Sequence, residues 1–300
     1  MSFEADLLTD RRRLRSRLAA WRAAAILIAI AALVAAIETQ GIGRTHVAVL
    51  TVEGVIVADA ERDLALGAVA ENDNAAALVV RIDSPGGTFG GGESLYDALR
   101  RVAGQKPVVA VMGDLATSAA YMAALGADRI FARNGTVTGS VGVIWQTADV
   151  SELLGELGIK TEALRSGPLK ARPSPLEPMT EPVRQAAQGL VDEMQDLFVA
   201  MVAERRGLDP AAVRSLADGR VYSGRAAAGN GLVDAIGGEA EAREWLAEER
   251  DIGIDLPTAD VTWGQDDLGF ARLGTILGLN EKSLLLETLT LDGLVSLWHP

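Results

Sequence analysis

The 300-residue chain contains no cysteine, which excludes disulfide bonds, thiolate metal sites and a thiol nucleophile. The chain has only two histidines, His46 and His299. His46 is the first residue of an apolar run that predicts a strand. Two such histidines exclude a histidine-rich metal site and leave little room for a Ser–His–Asp triad. The sequence therefore points away from metal and thiol chemistry.

Positive charge is in short supply over most of the chain. The net charge is −13, although the first 22 residues carry six arginines against three acidic residues. The remainder is therefore even more acidic than the total. An acidic body disfavours nucleic acid as a partner, because binding to phosphates requires a basic surface.

The N-terminal region holds an unbroken apolar run, AAAILIAIAALVAAI, at 23–37. Extended to 19–38 it is long enough for one membrane-spanning helix, and the arginines before it predict a cytoplasmic N-terminus at 1–18. The rest of the chain would then lie outside the cell membrane, after a linker at 39–45. A cleaved signal peptide and a buried soluble helix are the alternatives.

The body of the chain alternates apolar strands with helices. Strands are expected at 46–57, 76–82, 107–112, 130–132 and 136–143, and helices at 60–72, 91–102, 116–126 and 181–206. Uninterrupted apolar strands at this spacing predict an α/β fold with a parallel or mixed sheet covered on both faces. One domain accounts for 46–250, and the tail at 251–300 is assigned no role.

Three short segments hold residues that suit catalysis. I-D-S-P-G-G at 82–87 follows a strand, and its glycines leave backbone N–H groups uncovered for an oxyanion. The segment 113–121 places Ser118 where a strand runs into a helix, and the loop 166–175 carries Lys170. Each has an ordinary alternative: a tight turn, a helix-capping serine and a solvated lysine.

Taken together, the segments resemble the signal peptide peptidase A family, also called protease IV, of Ser–Lys membrane peptidases. The matching segments are I-D-S-P-G-G at 82–87, T-S-A-A-Y at 117–121, A-D-R-I-F-A at 127–132, T-G-S-V-G-V at 138–143, the lysine loop at 166–175, and G-R-V-Y-S-G-R and G-L-V-D within 219–234. The resemblance covers 46–240 and implies the α/β core of the Clp-protease and crotonase superfamily.

The resemblance also implies roles for single residues. Ser118 would be the nucleophile and Lys170 the general base; the N–H groups of Gly87 and Ala119 would bind the oxyanion, and Ser140 would orient the lysine. It implies a serine endopeptidase that needs no metal or cofactor and degrades hydrophobic membrane peptides such as cleaved signal-peptide remnants. The family's short forms further imply a homo-oligomer, an octameric ring, whose neighbouring subunits share each dyad.

Two departures from the family pattern bear on these expectations. Ala119 and Ala120 stand where the family commonly has glycines, and Arg172 lies where acidic residues are frequent and could supply positive charge that favours a neutral lysine. A related membrane protease acting on a stomatin-like partner and a catalytically silent membrane scaffold remain alternatives. An acyl-CoA hydratase-like enzyme is disfavoured by the predicted anchor and the lack of an obvious glutamate pair.

Overall fold

The structure is a computed structural model that describes residues 17–18, 21–28, 44–264 and 294–297. Residues 17–18 and 21–28 are helical. No helix within the described ranges is long and apolar enough to cross a membrane. The predicted anchor at 19–38 and linker at 39–45 lie largely outside these ranges, so both stay predictions.

Ten strands of the described ranges form one mixed sheet at the centre of the molecule. Its strands are β1 (His46–Ile56), β2 (Ala75–Thr88), β3 (Val108–Thr117), β4 (Arg129–Ala132), β5 (Val137–Gly139), β6 (Ile144–Trp145), β7 (Val221–Ser223), β8 (Ala235–Ile236), β9 (Thr258–Asp260) and β10 (Leu294–Leu297). The pairs β9–β1, β1–β2, β2–β3, β3–β4, β4–β8 and β3–β5 are parallel. The antiparallel pairs are β5–β7, β10–β2 and β10–β6. The prediction of a mixed sheet is confirmed.

Eight helices lie in the range 44–264. They are α1 (Ala60–Glu71), α2 (Phe89–Ala103), α3 (Ala119–Ala124), α4 (Ser151–Glu156), α5 (Glu181–Arg206), α6 (Pro210–Leu216), α7 (Gly224–Gly229) and α8 (Glu239–Arg250). The longest, α5, begins with proline in its first turn and ends at Gly207, whose φ of 62° is the left-handed cap that favours glycine. The proline marks the start of the helix and the glycine marks its end, which explains why its bounds match the predicted helix 181–206.

Both faces of the sheet are buried, as the apolar strands predict. On one face Leu50, Val80, Ala110 and Met112 belong to a cluster with Leu95 and Leu99 of α2, Met122 of α3 and Phe198 of α5. On the other, Val47, Val49, Val79 and Val109 form a cluster with Ala242 and Leu246 of α8. Because successive strand residues point to opposite faces, one β-branched run serves both clusters.

One local prediction is wrong, and the tail without an assigned role contains strands. The segment 82–87, expected to be a turn after a strand, is the second half of β2, which continues to Thr88. It stays extended because β1 remains its partner up to the pair Ile56–Gly87, across a register shift. The tail at 251–300 also contributes strands, since β9 pairs with β1 and β10 pairs with β2.

Candidate active site

Ser118 lies on the bend between β3 and α3. Its backbone has φ 58° and ψ −120°, a conformation that is costly for a residue with a side chain, by about 1–3 kcal/mol. Two hydrogen bonds hold the bend: the Ser118 N–H donates to the Gly139 carbonyl at 2.8 Å, and its carbonyl accepts from the Met122 N–H at 2.9 Å. A strained serine at a strand-to-helix turn is how several hydrolases present a nucleophile.

The hydroxyl of Ser118 is buried and has no hydrogen-bond partner in the described part of the chain. The residue is 1% exposed, and its Oγ makes no hydrogen bond to any residue in the described ranges. Buried polar atoms in folded proteins are nearly always paired, so an exception calls for a functional explanation. No general base from the described part of the chain reaches this oxygen.

Lys170 lies on an exposed turn of the loop between α4 and α5. Its backbone N–H donates to the Gly167 carbonyl at 3.2 Å, and its ammonium has no hydrogen bond or ion pair with a described residue. The two predicted dyad residues are therefore not in hydrogen-bond contact within this chain.

Charges beside Lys170 are paired with each other. The Glu177 carboxylate accepts from Arg165, with 2.6 Å between Arg165 Nη2 and Glu177 Oε1, and it also forms an ion pair with Arg172. Hydrogen bonding to Arg165, aided by both guanidinium charges, lowers the pKa of Glu177. The positive charge that the sequence predicted Arg172 would lend to the lysine is thus balanced by a carboxylate.

The end of β2 runs level with Ser118. The β2–β3 register ends with Ser84 opposite Ala116, and beyond it Thr117 Oγ1 donates to the Pro85 carbonyl at 3.0 Å, two residues before Gly87. A Cβ added to Gly87 would lie 1.8 Å from the carbonyl oxygen of Ile56, and only glycine fits there. The other predicted donor, Ala119, is the first residue of α3, where the N–H has no acceptor within the helix. One predicted oxyanion donor thus directly follows Ser118 in the chain, and the other lies two residues beyond the Pro85 contact with Thr117.

Ser140 is next to Ser118 through the backbone of β5. It follows Gly139, whose carbonyl accepts from the Ser118 N–H, and its own N–H donates to the Arg220 carbonyl at 2.9 Å. Like Ser118 it has a positive φ, 50°, and it is 7% exposed. The structure thus brings together Ser118, Ser140, Gly87 and Ala119 and leaves Lys170 apart.

Nothing in the sequence indicated what lies along the other edge of β2. Strand β10 pairs antiparallel with Gly86–Thr88, Ser296 opposite Gly87, and also with β6. Since β1 still pairs with Gly87 on one side, β10 takes the side that β3 holds as far as Ser84. Strand β10 therefore runs along the part of β2 that lies beyond the end of the β2–β3 pairing. No turn or alternation in the tail predicted it.

A strained serine between a glycine-containing strand and a helix start is the arrangement of a serine hydrolase. The chain belongs to Peptidase family S49, whose family profile matches residues 100–253. It is 30% identical over 246 residues to a putative signal peptide peptidase SppA of Enterococcus faecium, covering 77% of this chain and 71% of that one. It is 37% identical over 171 residues to the putative protease slr0021 of Synechocystis, covering 57% and 62%, respectively. The chain thus spans less than two thirds of that relative's length.

Among the solved structures that this chain matches are the following two. A mutant of the membrane-bound stomatin-specific protease 1510-N has a TM-score of 0.46 at 15% identity, covering 74% of this chain and 99% of that one. A mutant of ClpP1 from Listeria monocytogenes has a TM-score of 0.43 at 17% identity, covering 63% and 91%.

Proposed function

We propose that this protein is a serine endopeptidase in which Ser118 is the nucleophile and Lys170 the general base. The observation that carries the proposal is the buried, unpartnered hydroxyl of Ser118 on a strained turn beside the end of β2. Membership of a peptidase family agrees with it. A silent scaffold would have no reason to keep a backbone conformation this costly at a serine.

The reaction follows the usual course of acyl transfer. The neutral amine of Lys170 accepts the Ser118 proton while Oγ bonds to the peptide carbonyl carbon, and the N–H groups of Gly87 and Ala119 donate to the oxyanion. The C–N bond then breaks as the lysine passes its proton to the leaving amine. Water, deprotonated by the same lysine, attacks the acyl-enzyme and regenerates Ser118. Ser140 would orient the amine by a hydrogen bond.

Lys170 is proposed to act on the serine of a neighbouring copy. The lysine is exposed and the serine has no base within its own described chain. The region around the lysine also carries solvent-exposed apolar side chains, Leu157, Leu164, Leu169 and Leu176, with Leu164 at 95% exposure. Apolar groups in this number suit burial against another subunit. A ring of repeated heterologous contacts, octameric in our proposal, would complete every site in the same way.

The cleft is proposed to bind substrates as extended strands. Strand β10 already occupies this edge of β2 in antiparallel pairing, and that pairing supports a cleft wide enough for a peptide backbone between β2 and β6. Main-chain pairing of this kind gives affinity with little side-chain selection. Hydrophobic membrane peptides, including signal-peptide remnants, are the proposed substrates, and the anchor at 19–38 would hold the enzyme in the cell membrane with its catalytic domain outside.

Labelling with a fluorophosphonate probe tests the dyad. We expect the wild type to be labelled at Ser118. Ser118→Ala should not be labelled, and its rate of peptide hydrolysis should fall by a factor of about 10⁴–10⁶. Lys170→Ala and Lys170→Arg should both be inactive, since arginine keeps the charge but stays protonated. The matched control is Lys160→Ala, which changes an exposed lysine in the same loop between α4 and α5 and should keep the wild-type rate. Normal kinetics in Lys170→Arg would show that another group is the base.

Membrane placement has a separate test. Protease added to right-side-out vesicles should digest the chain beyond residue 38 and spare 1–18. A body protected from digestion would overturn the proposed topology. Deleting 1–40 should release a soluble enzyme, because the core of the sheet begins at His46.

A further inference from the structure

Thr117 makes a side-chain bond between the two strands that build the site. It is fully buried and immediately precedes Ser118, and its Oγ1 donates to the Pro85 carbonyl at 3.0 Å. Pro85 lies two residues before Gly87 on β2. A single hydroxyl thus joins β3, which leads to the proposed nucleophile, to β2, which carries a proposed oxyanion donor.

This bond lies where the backbone ladder between the two strands stops. The β2–β3 pairing is regular up to Ile82 with Met112, shifts, and ends at Ser84 with Ala116. Beyond that pair no backbone register joins β2 to β3, and β10 takes the freed edge of β2. The separation makes room for a peptide next to Ser118, and it also removes the hydrogen bonds that would hold the two sides of the site at a fixed spacing.

A second buried hydroxyl stiffens β2 at the same level. Ser84 Oγ donates to the Gly54 carbonyl at 2.6 Å and accepts from the Gly86 N–H at 3.1 Å. It therefore fixes β2 to β1 and shapes the backbone around Pro85. Because Ser84 fixes β2 to β1, the bond from Thr117 to Pro85 sets the position of the serine bend relative to β2.

We infer that Thr117 is a positioning residue that sets the distance between the Ser118 oxygen and the Gly87 N–H. The inference rests on the proposed function. Donors to an oxyanion act only when they lie within about 3 Å of where the charge forms, and a displacement of about 1 Å can cost 10²-fold. The oxyanion exists only in the transition state, so loosening this spacing lowers kcat and leaves KM nearly unchanged.

The test compares three variants. Thr117→Val keeps the shape and removes the hydroxyl, and kcat should fall about tenfold with KM within about twofold of wild type. Thr117→Ser restores the hydroxyl and should recover most of kcat. The matched control is Thr136→Val: this buried threonine donates to the Gly113 carbonyl of the same strand at 2.7 Å and does not bond to β2. It should lose stability but keep kcat.

Hydrogen exchange gives a readout that does not depend on catalysis. Amides at 86–88 should exchange faster in Thr117→Val than in wild type or Thr136→Val. Unchanged exchange at 86–88, or equal losses of kcat in Thr117→Val and Thr136→Val, would overturn the inference. Should Thr117→Val fail to fold, Thr117→Ala against Thr117→Ser gives the same comparison. A wild type without Ser118-dependent turnover would refute the proposed function, whereas the exchange result would still decide whether Thr117 ties the strands.

Discussion

Two inactive variants should restore each other's activity when they are mixed. Ser118→Ala keeps an intact Lys170, and Lys170→Ala keeps an intact Ser118. Among the described residues of one chain the serine oxygen is buried without a hydrogen-bond partner, and the lysine is exposed and out of hydrogen-bond contact with it. If each site takes its serine from one copy and its lysine from the next, mixed assemblies contain sites in which both residues are intact.

The expected recovery follows from how the sites are composed. In an equal mixture, half of the copies supply a serine and half a lysine, so about one quarter of sites hold both. This fraction does not depend on how many copies close the ring. It falls to about three sixteenths in a three-to-one mixture, whichever variant is in excess. The plot of activity against composition is therefore a symmetric parabola with its maximum near a quarter of the wild-type rate.

The assay is hydrolysis of a short apolar peptide after subunit exchange. One variant carries a heavy isotope label, so that native mass spectrometry establishes how far mixing has gone. The control mixture pairs Ser118→Ala with the double variant that lacks both residues, and it should stay inactive at every ratio. No recovery after demonstrated mixing would place both residues in one chain and refute shared sites.

Three further results are expected. Gly87→Ala forces its Cβ against a β1 carbonyl oxygen 1.8 Å away and should lower the free energy of unfolding by about 1–3 kcal/mol, while Gly90→Ala, with open space around it, should not; equal melting temperatures would contradict this. Tyr121→Phe removes a buried hydroxyl that donates to a backbone carbonyl at 2.8 Å and should cost about 1–3 kcal/mol in urea unfolding; a loss below about 0.5 kcal/mol would show that the bond contributes little. Val295→Pro removes a backbone N–H from β10 and should break its pairing with β2. If β10 fills the cleft nine-tenths of the time, labelling of Ser118 by the probe should become about tenfold faster. An unchanged labelling rate would mean that β10 does not compete with the probe.

The elements with strong local signals could be predicted from the sequence. Helix α5 has an apolar stripe at helical spacing, a proline at its start and a glycine just past its end, and its bounds match the prediction. The central strands were recognised because they are short apolar runs at regular spacing. Strands that are apolar throughout must be covered on both faces of the sheet, and this requirement led to the prediction of a parallel or mixed sheet.

The turn expected at 82–87 shows where local reasoning ends. Serine, proline and two glycines in a row are typical of a turn. The segment is extended because β1 remains alongside it and because Ser84 bonds to the backbone of both Gly54 and Gly86. Gly54 lies 30 residues before Ser84 in the chain, so no local window of the sequence contains both partners.

The candidate site divides along the same line. Ser118, Ser140, Gly87 and Ala119 are brought together by the sheet, because their segments end on neighbouring strands at one edge. Lys170 lies in the loop between α4 and α5, which contributes no strand to the sheet, so the order of elements does not place it near the serine. The family resemblance named all five residues, and the order of the strands accounts for the closeness of the first four but not for the position of the lysine.

The two halves of the proposed site would form at different times. The costly half, the strained serine bend, is held within one chain by the Gly139 and Met122 hydrogen bonds, so it exists before assembly. The base is the half that would arrive from a neighbour. A folded single copy would then carry a preformed nucleophile that cannot lose its proton, and association would add the missing base without rebuilding the cleft. Restricting the base to the assembled ring would keep newly made copies from cleaving other proteins before they reach their partners.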